Sequence, residues 1–287
     1  MKSISVVTCS KDRNEYLVKN FSSTKNISNL KEHIHIDFSS NLNTKNLYKT
    51  NDKLKIIHIR NENEWWLTRA FNAGFHYASG DYILRLNADA ELNFEEFNKI
   101  NLENISYINF RFGTNDFGNI LCKTSVLEKI NGYNEFIFGW GYDDLDIHNR
   151  IIANNEINTK ILDGNKYIKT QYHENFKRVS NRNSENKNWA DAYLLANHKK
   201  NRYISQNIFW NDTFKLNYKK NDKTCTIEHQ YKLNKYHFFK HLISKAIFMT
   251  TFLNELYRRS FFNKIRLIFF AFPCKLFEKI YKVKILP

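Results

Sequence analysis

Four short apolar runs near the amino terminus set the main constraint on how this chain folds. Ile4–Thr8 (ISVVT), Ile34–Phe38 (IHIDF), Lys55–Arg60 (KIIHIR) and Tyr82–Leu86 (YILRL) lack the clean apolar–polar alternation of half-exposed strands. That pattern suits parallel strands covered on both faces. Helical stretches separate them: residues 65–79 place Leu67, Phe71, Phe75 and Ala78 at helical spacing, and Arg13–Phe21 predicts another helix. Strand–helix–strand repetition implies right-handed crossovers and an open α/β sheet. Such sheets hold ligands outside the carboxyl ends of their strands. Attention therefore falls on Thr8–Arg13, Asp37–Ser40, Asn61–Glu64 and Asn87–Glu91.

With 42% apolar and 16% aromatic residues among 287, the chain can bury a large core, which excludes a disordered or fibrous protein. Its net charge of +15 is unevenly held. Residues 1–187 carry 25 Lys and Arg against 23 Asp and Glu, whereas residues 188–287 carry 19 against 6. A nearly neutral globular domain over 1–187 followed by a basic, aromatic-rich, mainly helical tail over 188–287 is the expected division. Cys9, Cys122, Cys225 and Cys274 form no C-x-x-C pair, so a disulfide scaffold or zinc ribbon is not expected and the reducing cytoplasm is the natural compartment. The opening MKSISVVTCS is too brief for a secretory leader.

Seven of the eight glycines fall between Gly74 and Gly141, which marks that window as the working floor of the domain. Two acidic motifs border it. Asn87-Ala88-Asp89-Ala90-Glu91 directly follows the YILRL strand, where acids serve a hard cation or a ribose hydroxyl; a solvated turn is the plainer explanation. In Gly139-Trp140-Gly141-Tyr142-Asp143-Asp144-Leu145-Asp146, three carboxylates crowd a helix start. The helix dipole accounts for one acid there, but not for a tryptophan between two glycines. An aromatic platform flanked by carboxylates is what binding a sugar ring requires. His173, in QYHEN, is by itself unremarkable, and gains meaning only beside these two motifs.

The runs SVVTCSKDRNEYL, NENEWWLTRAFNAGF and YILRLNADAEL resemble the nucleotide-sugar-binding half of GT-A glycosyltransferases of the family 2 type. The stretch GNILCKTSVLEKINGYNEFIFGWGYDDLDIHNRI is similar to a carboxyl-terminal galactosyltransferase-type module with its W-G-x-E/D-D-x-D signature. Together the resemblance spans residues 3–178, with a donor half over about 1–115 and an acceptor half over about 116–187. It implies a GT-A fold, an open mostly parallel sheet with helices on both faces, extended here by the basic tail. It further implies Asp89 and His173 as metal ligands, Asp144 as catalytic base, and Asp143, Trp140 and Gly141 at the acceptor. Thr8, Arg13 and Asp37 would line the uridine and ribose pocket, with Arg69 and Asn72 near the diphosphate and Asn87 at the first position of the D-x-D motif. Asn87 departs from the usual Asp, and Asp143 stands where Glu is commoner. Asp rather than Asn at 144 favours inversion, since an amide cannot take the proton of an acceptor hydroxyl. Mixed oxygen and nitrogen ligands favour Mn²⁺, with Mg²⁺ as the alternative.

The resemblance thus implies a UDP-sugar donor and an oligosaccharide or lipid-linked glycan acceptor, as in bacterial capsule or lipopolysaccharide synthesis. Residues 174–190 are polar and rich in Lys and Asn, and their place after His173 suits a loop that closes over donor. In residues 225–287 charged side chains interrupt every apolar run, which excludes a spanning helix and predicts basic amphipathic helices lying on an anionic membrane surface. A peripheral place on the inner face of the cytoplasmic membrane follows. Two other readings are weighed. A basic nucleic-acid-binding protein fits the tail but not the neutral, acid-bearing front, so no nucleic acid is expected; a glycan-binding pseudo-enzyme would account for Asn87.

Overall fold

A computed structural model describes residues 2–12, 14–38, 51–59, 62, 64–113, 116–154, 156–171, 187–210, 217–220, 223–228 and 235–257. The chain divides into two compact units. The first comprises residues 1–135, 144–171 and 210–231, and the second 136–143, 172–209 and 232–287.

The first unit is built on strands β1 (Ile4–Ser10), β2 (Leu30–Phe38), β3 (Leu54–Ile59), β4 (Tyr82–Arg85), β5 (Ala90–Leu92), β6 (Tyr107–Phe112), β7 (Asp116–Lys123), β8 (Thr159–Asp163), β9 (Ile168–Thr170), β10 (Asn217–Lys220) and β11 (Thr224–Glu228). Nine of them form one sheet in the order β10-β11-β3-β2-β1-β4-β7-β6-β8, and β5 pairs with β9 in a small antiparallel ribbon. β3, β2, β1 and β4 run parallel, as the buried apolar runs predict, and β11 joins them parallel to β3, while β7 turns back antiparallel to both β4 and β6. Every residue of β1 is buried. Helices α1 (Asn14–Thr24) and α2 (Leu67–Tyr77) make the crossovers, followed by α3 (Phe94–Phe97), α4 (Thr124–Lys129), α5 (Asp143–Ile152) and α6 (Gly164–Tyr167). Val7, Ile34, Ile36, Ile57, Phe71, Ile83 and Ile147 share one core, and Val6, Leu84, Ile108, Phe110 and Leu121 another.

Strand order reverses between β1 and β4, the kind of switch point beyond whose carboxyl ends open α/β sheets hold ligands. The Asn87–Glu91 motif emerges there. Two strands, β10 and β11, lie within the tail that the sequence marks as mainly helical, and they extend the sheet beyond β3.

The second unit contains α7 (Lys187–Asn207) and α8 (Lys235–Tyr257). Ala190, Tyr193 and Leu194 of α7 pack with Phe248 and Phe252 of α8, and Tyr203 with Ile243 and Ile247. Lys240 Nζ donates to the Asn207 carbonyl, closing the end of α7.

Candidate active site

The loop after β4 is held from two sides. Leu86 still bonds as strand, its N–H donating to Val7 O at 3.0 Å, and the chain then turns, with Ala90 N–H on Asn87 O at 3.1 Å. From α1, the buried Asn20 side chain donates to Asn87 O at 3.0 Å and Ala90 O at 2.7 Å. From β7, Asn119 Oδ1 accepts the Asn87 N–H at 2.9 Å. Ala88 packs beside Leu17, Phe21, Leu54 and Ile56. Asp89, half-buried between these anchors, takes the Gln171 N–H on its own carbonyl at 3.0 Å.

Arg85, the last residue of β4, is 1% exposed. A guanidinium taken from water needs both packing and partners. Its central carbon lies 4.2 Å over the Phe71 ring centroid, Nη1 donates to Asn87 Oδ1 at 2.7 Å, and Nη2 stands 3.4 Å from Asp144 Oδ1. The Asp144 side chain keeps 33% of its surface exposed while Oδ1 faces Arg85. The space these groups share is cleared by Gly118 of β7. A Cβ there would lie 3.0 Å from Arg85 Nη1, 3.2 Å from Asp144 Oδ2 and 3.3 Å from Asn87 Nδ2.

The three acids of the W-G motif therefore separate by role. Asp146 is buried and pairs with Arg150 one turn on, at 2.9 Å to Nε and 2.8 Å to Nη2, a bond within α5. Asp144 faces Arg85. Asp143 is buried and belongs to the second unit. Beneath Asp144's helix, the Tyr107 hydroxyl meets His148 Nδ1 at 2.9 Å; burial, then the neighbouring Cys122 thiol, push the phenol's ionisation up.

Other residues expected at the donor have internal partners. Thr8 is fully buried, its hydroxyl 3.1 Å from His33 Nε2 and 2.8 Å from His35 Nδ1. Burial holds both imidazoles neutral, His33 well below its ordinary value and His35 down to about 3. Asp37, at the end of β2, meets His58 Nδ1 at 2.6 Å. Arg69 donates to Glu62 Oε1 at 2.8 Å, stacks 3.4 Å over Trp66, and stands 3.5 Å from Glu135 Oε2. Asn72 ties α2 to the following loop: its Nδ2 donates to Tyr133 O and to Glu135 Oε1, and its Oδ1 accepts the Tyr133 N–H. Tyr218 of β10 donates to the same Glu135 oxygen at 2.5 Å. Arg13 and His173 lie outside the described residues, as does most of the loop expected over 174–190.

In the second unit, Trp140 is 40% exposed between Gly139 (φ +81°) and Gly141 (φ +95°), and Tyr142 also takes a positive φ of 68°. Holding a tyrosine there costs about 1 kcal/mol and needs outside support. That support comes from α7. Asn201 donates to Gly141 O at 2.8 Å, Lys200 to Phe138 O at 2.6 Å, and the His198 ring packs edge-on to Tyr142 at 5.4 Å and beside Trp140 at 6.4 Å. A side chain at Gly139 would strike Asn197 Oδ1, which is why this loop carries glycine.

Arg85, Asn119 and Asn20 belong to no motif legible in the sequence, whereas Gly118 falls in the glycine-rich window between Gly74 and Gly141. For Arg85 the sequence signal is a charge inside an otherwise apolar strand immediately before the acidic loop.

Residues 5–101 match the model for glycosyl transferase family 2, and residues 102–174 match the model described as the N-terminal domain of galactosyltransferase. The chain is thus a glycosyltransferase of the family 2 type with a galactosyltransferase-like module. No curated protein matches it in sequence. Among solved structures, a mutant Drosophila β-1,4-galactosyltransferase 7 in complex with manganese, UDP-Gal and xylobiose aligns with a TM-score of 0.52 at 13% identity, over 82% of this chain and 98% of that one. Residues 1–349 of S. aureus TarS align with a TM-score of 0.51 at 14% identity, over 88% of this chain and 81% of that one. These likenesses make the fold GT-A.

Proposed function

We propose that this protein is an inverting, metal-dependent glycosyltransferase that moves a hexose or N-acetylhexosamine from a UDP-sugar to a glycan hydroxyl. The observation that carries the reading is the link Asn87–Arg85–Asp144. It ties a partly exposed carboxylate to the donor-side loop at the sheet's switch point. The galactosyltransferase-like relative crystallised with UDP-Gal, manganese and xylobiose adds weight for a nucleotide sugar donor and a sugar acceptor.

Asp144 is the base in this scheme. Its carboxylate takes the acceptor hydroxyl's proton as the hydroxyl oxygen attacks the anomeric carbon and the bond from that carbon to the nucleoside diphosphate breaks. Asp143, Trp140 and Gly141 receive the acceptor, with Trp140 offering its face to the sugar's C–H side. Asn87, Thr8, Arg13, Asp37, Arg69 and Asn72 are assigned to the donor side; Thr8, Asp37, Arg69 and Asn72 are buried.

Among the described residues no three His, Cys, Asp or Glu side chains gather as a ready cation site. A cation that also holds two phosphates needs only one or two protein ligands, and Asp89 on its doubly anchored loop meets that requirement. Asp89 and His173, the two ligands the family resemblance implies, are the proposed pair. When bound, Mn²⁺, or Mg²⁺ in its place, neutralises charge on the departing nucleoside diphosphate.

A bacterial surface-polysaccharide precursor, lipid-linked and presented at the inner face of the cytoplasmic membrane, is the proposed acceptor. Among the described residues no helix is long and apolar enough to cross a membrane. α8 instead exposes Phe238, Leu242 and Met249 along one stripe with Lys245, a face suited to anionic lipid. The test is release of UDP from a panel of nucleotide sugars with Mn²⁺ and glycan acceptors. Asp144→Asn is expected to lower transfer by about 10²-fold or more while UDP binding persists. Retained turnover in that variant would refute Asp144 as the base.

A further inference from the structure

We infer that Arg85 is the positioning residue that sets the orientation of the Asp144 carboxylate, and that the neutral amide at position 87 leaves its guanidinium available to do so. The inference rests on Asp144 being the base.

Arg85 has little freedom of its own. It leaves a strand that pairs with β1 on one side and β7 on the other, and its guanidinium carbon lies 4.2 Å over the Phe71 ring centroid. Its terminal nitrogens therefore point in fixed directions, Nη1 to Asn87 and Nη2 to Asp144. Asp144 sits in the first turn of α5, and without a fixed partner its partly exposed side chain would sample several rotamers. Holding a base in one orientation matters because misplacement by about 1 Å can cost about 10²-fold in rate.

Position 87 decides how the guanidinium is shared. Asn87 satisfies Nη1 at 2.7 Å without bringing charge, whereas Asp144 stands farther off at 3.4 Å. A carboxylate at 87, in the nearer place, would draw the guanidinium away from Asp144. Gly118 completes the arrangement, since any side chain there would press on all three heads at once.

The test compares Arg85→Gln and Arg85→Lys with wild type, alone and in an Asp144→Asn background. If Arg85 acts through Asp144, Arg85→Gln lowers kcat by about tenfold or more with donor KM within about threefold, and Arg85→Lys recovers part of the loss. In the Asp144→Asn background the same change costs less than about threefold further. Equal losses in both backgrounds overturn the inference. Because Arg85 is buried, crystal structures of Arg85→Gln and of Asn87→Asp, which leaves Arg85 in place, supply a second reading. In both, the Asp144 carboxylate is expected to leave its position beside Gly118. An unmoved Asp144 in both overturns the inference, whatever the rates. If wild type turns over no nucleotide sugar, the proposed function fails, and the crystal structures still decide whether Arg85 orients Asp144.

Discussion

Glu135→Gln removes the ionisable group from a buried cluster that also holds Arg69, Glu62, Asn72 and Tyr218. Glu135 is 1% exposed, and burial lifts its ionisation from the ordinary 4.5 to about 7 against the pull of Tyr218, Asn72 and Arg69. The charges agree with that direction. One guanidinium stands between two carboxylates, so with both ionised the cluster would bury a net negative charge. Tyr218, whose own ionisation burial pushes well up, stays a donor throughout. Since Glu135 binds its proton more tightly in the folded protein, the stability it confers is whole below about pH 4.5 and declines as pH rises toward about 7. At about 1.36 kcal/mol per pH unit, the interval from 4.5 to about 7 amounts to about 3 kcal/mol. Glutamine keeps an oxygen for Tyr218 and Asn72 and has nothing to titrate. Urea unfolding of both proteins at pH 5, 6, 7 and 8 measures the difference, and groups common to the two cancel. The variant is expected to gain on wild type by about 2–3 kcal/mol between pH 5 and 8. A difference constant to within about 0.5 kcal/mol would refute a proton held on Glu135 near neutrality.

Two further outcomes follow from buried polar contacts. Asn20→Ala strips the donors from the carbonyls of Asn87 and Ala90 and should cost about 2 kcal/mol in urea unfolding, with weaker calorimetric binding of Mn²⁺ and UDP as the loop loosens; a cost under about 0.5 kcal/mol would mean the loop is held without it. His33 and His35 have depressed ionisations, so their contribution is present above about pH 6.5 and is lost as pH falls toward about 3. Measured in Glu135→Gln, where the opposing trend is absent, the urea midpoint should drop between pH 6.5 and 5, and an unchanged midpoint would exclude neutral buried imidazoles.

Strands β1, β2, β3 and β4 of the central sheet were readable because they are short, largely buried apolar runs, a signal carried within five or six residues. The start of β2 at Leu30, four residues before the expected Ile34, was not. Glu32 and His33 look like solvent-facing residues until their partners are known: Ser5, Lys55 and Ser79 for the one, Thr8 and Thr24 for the other. Arg85 was hidden in the same way, because its partners Asn87 and Asp144 lie 2 and 59 positions away. Asn20 resembles any polar residue on a surface helix, and only the fold turns it toward the acidic loop. β10 (NYKK) and β11 (TCTIE) are short and partly polar, and the register of β11 against β3 spans more than 160 residues of chain. Local pattern finds what local burial dictates; polar residues whose meaning depends on distant partners stay silent until the chain is folded.

The pairing of β11 with β3 has a practical consequence for anyone shortening this enzyme. Truncation after residue 187 would strip β3 of its neighbour and present a row of unbonded amides and carbonyls to other molecules, an invitation to aggregate. It would also take the Tyr218 hydroxyl from Glu135 and the Thr224 carbonyl from Tyr77. A soluble, active fragment must therefore run at least through Glu228, however dispensable the basic stretch beyond it proves to be.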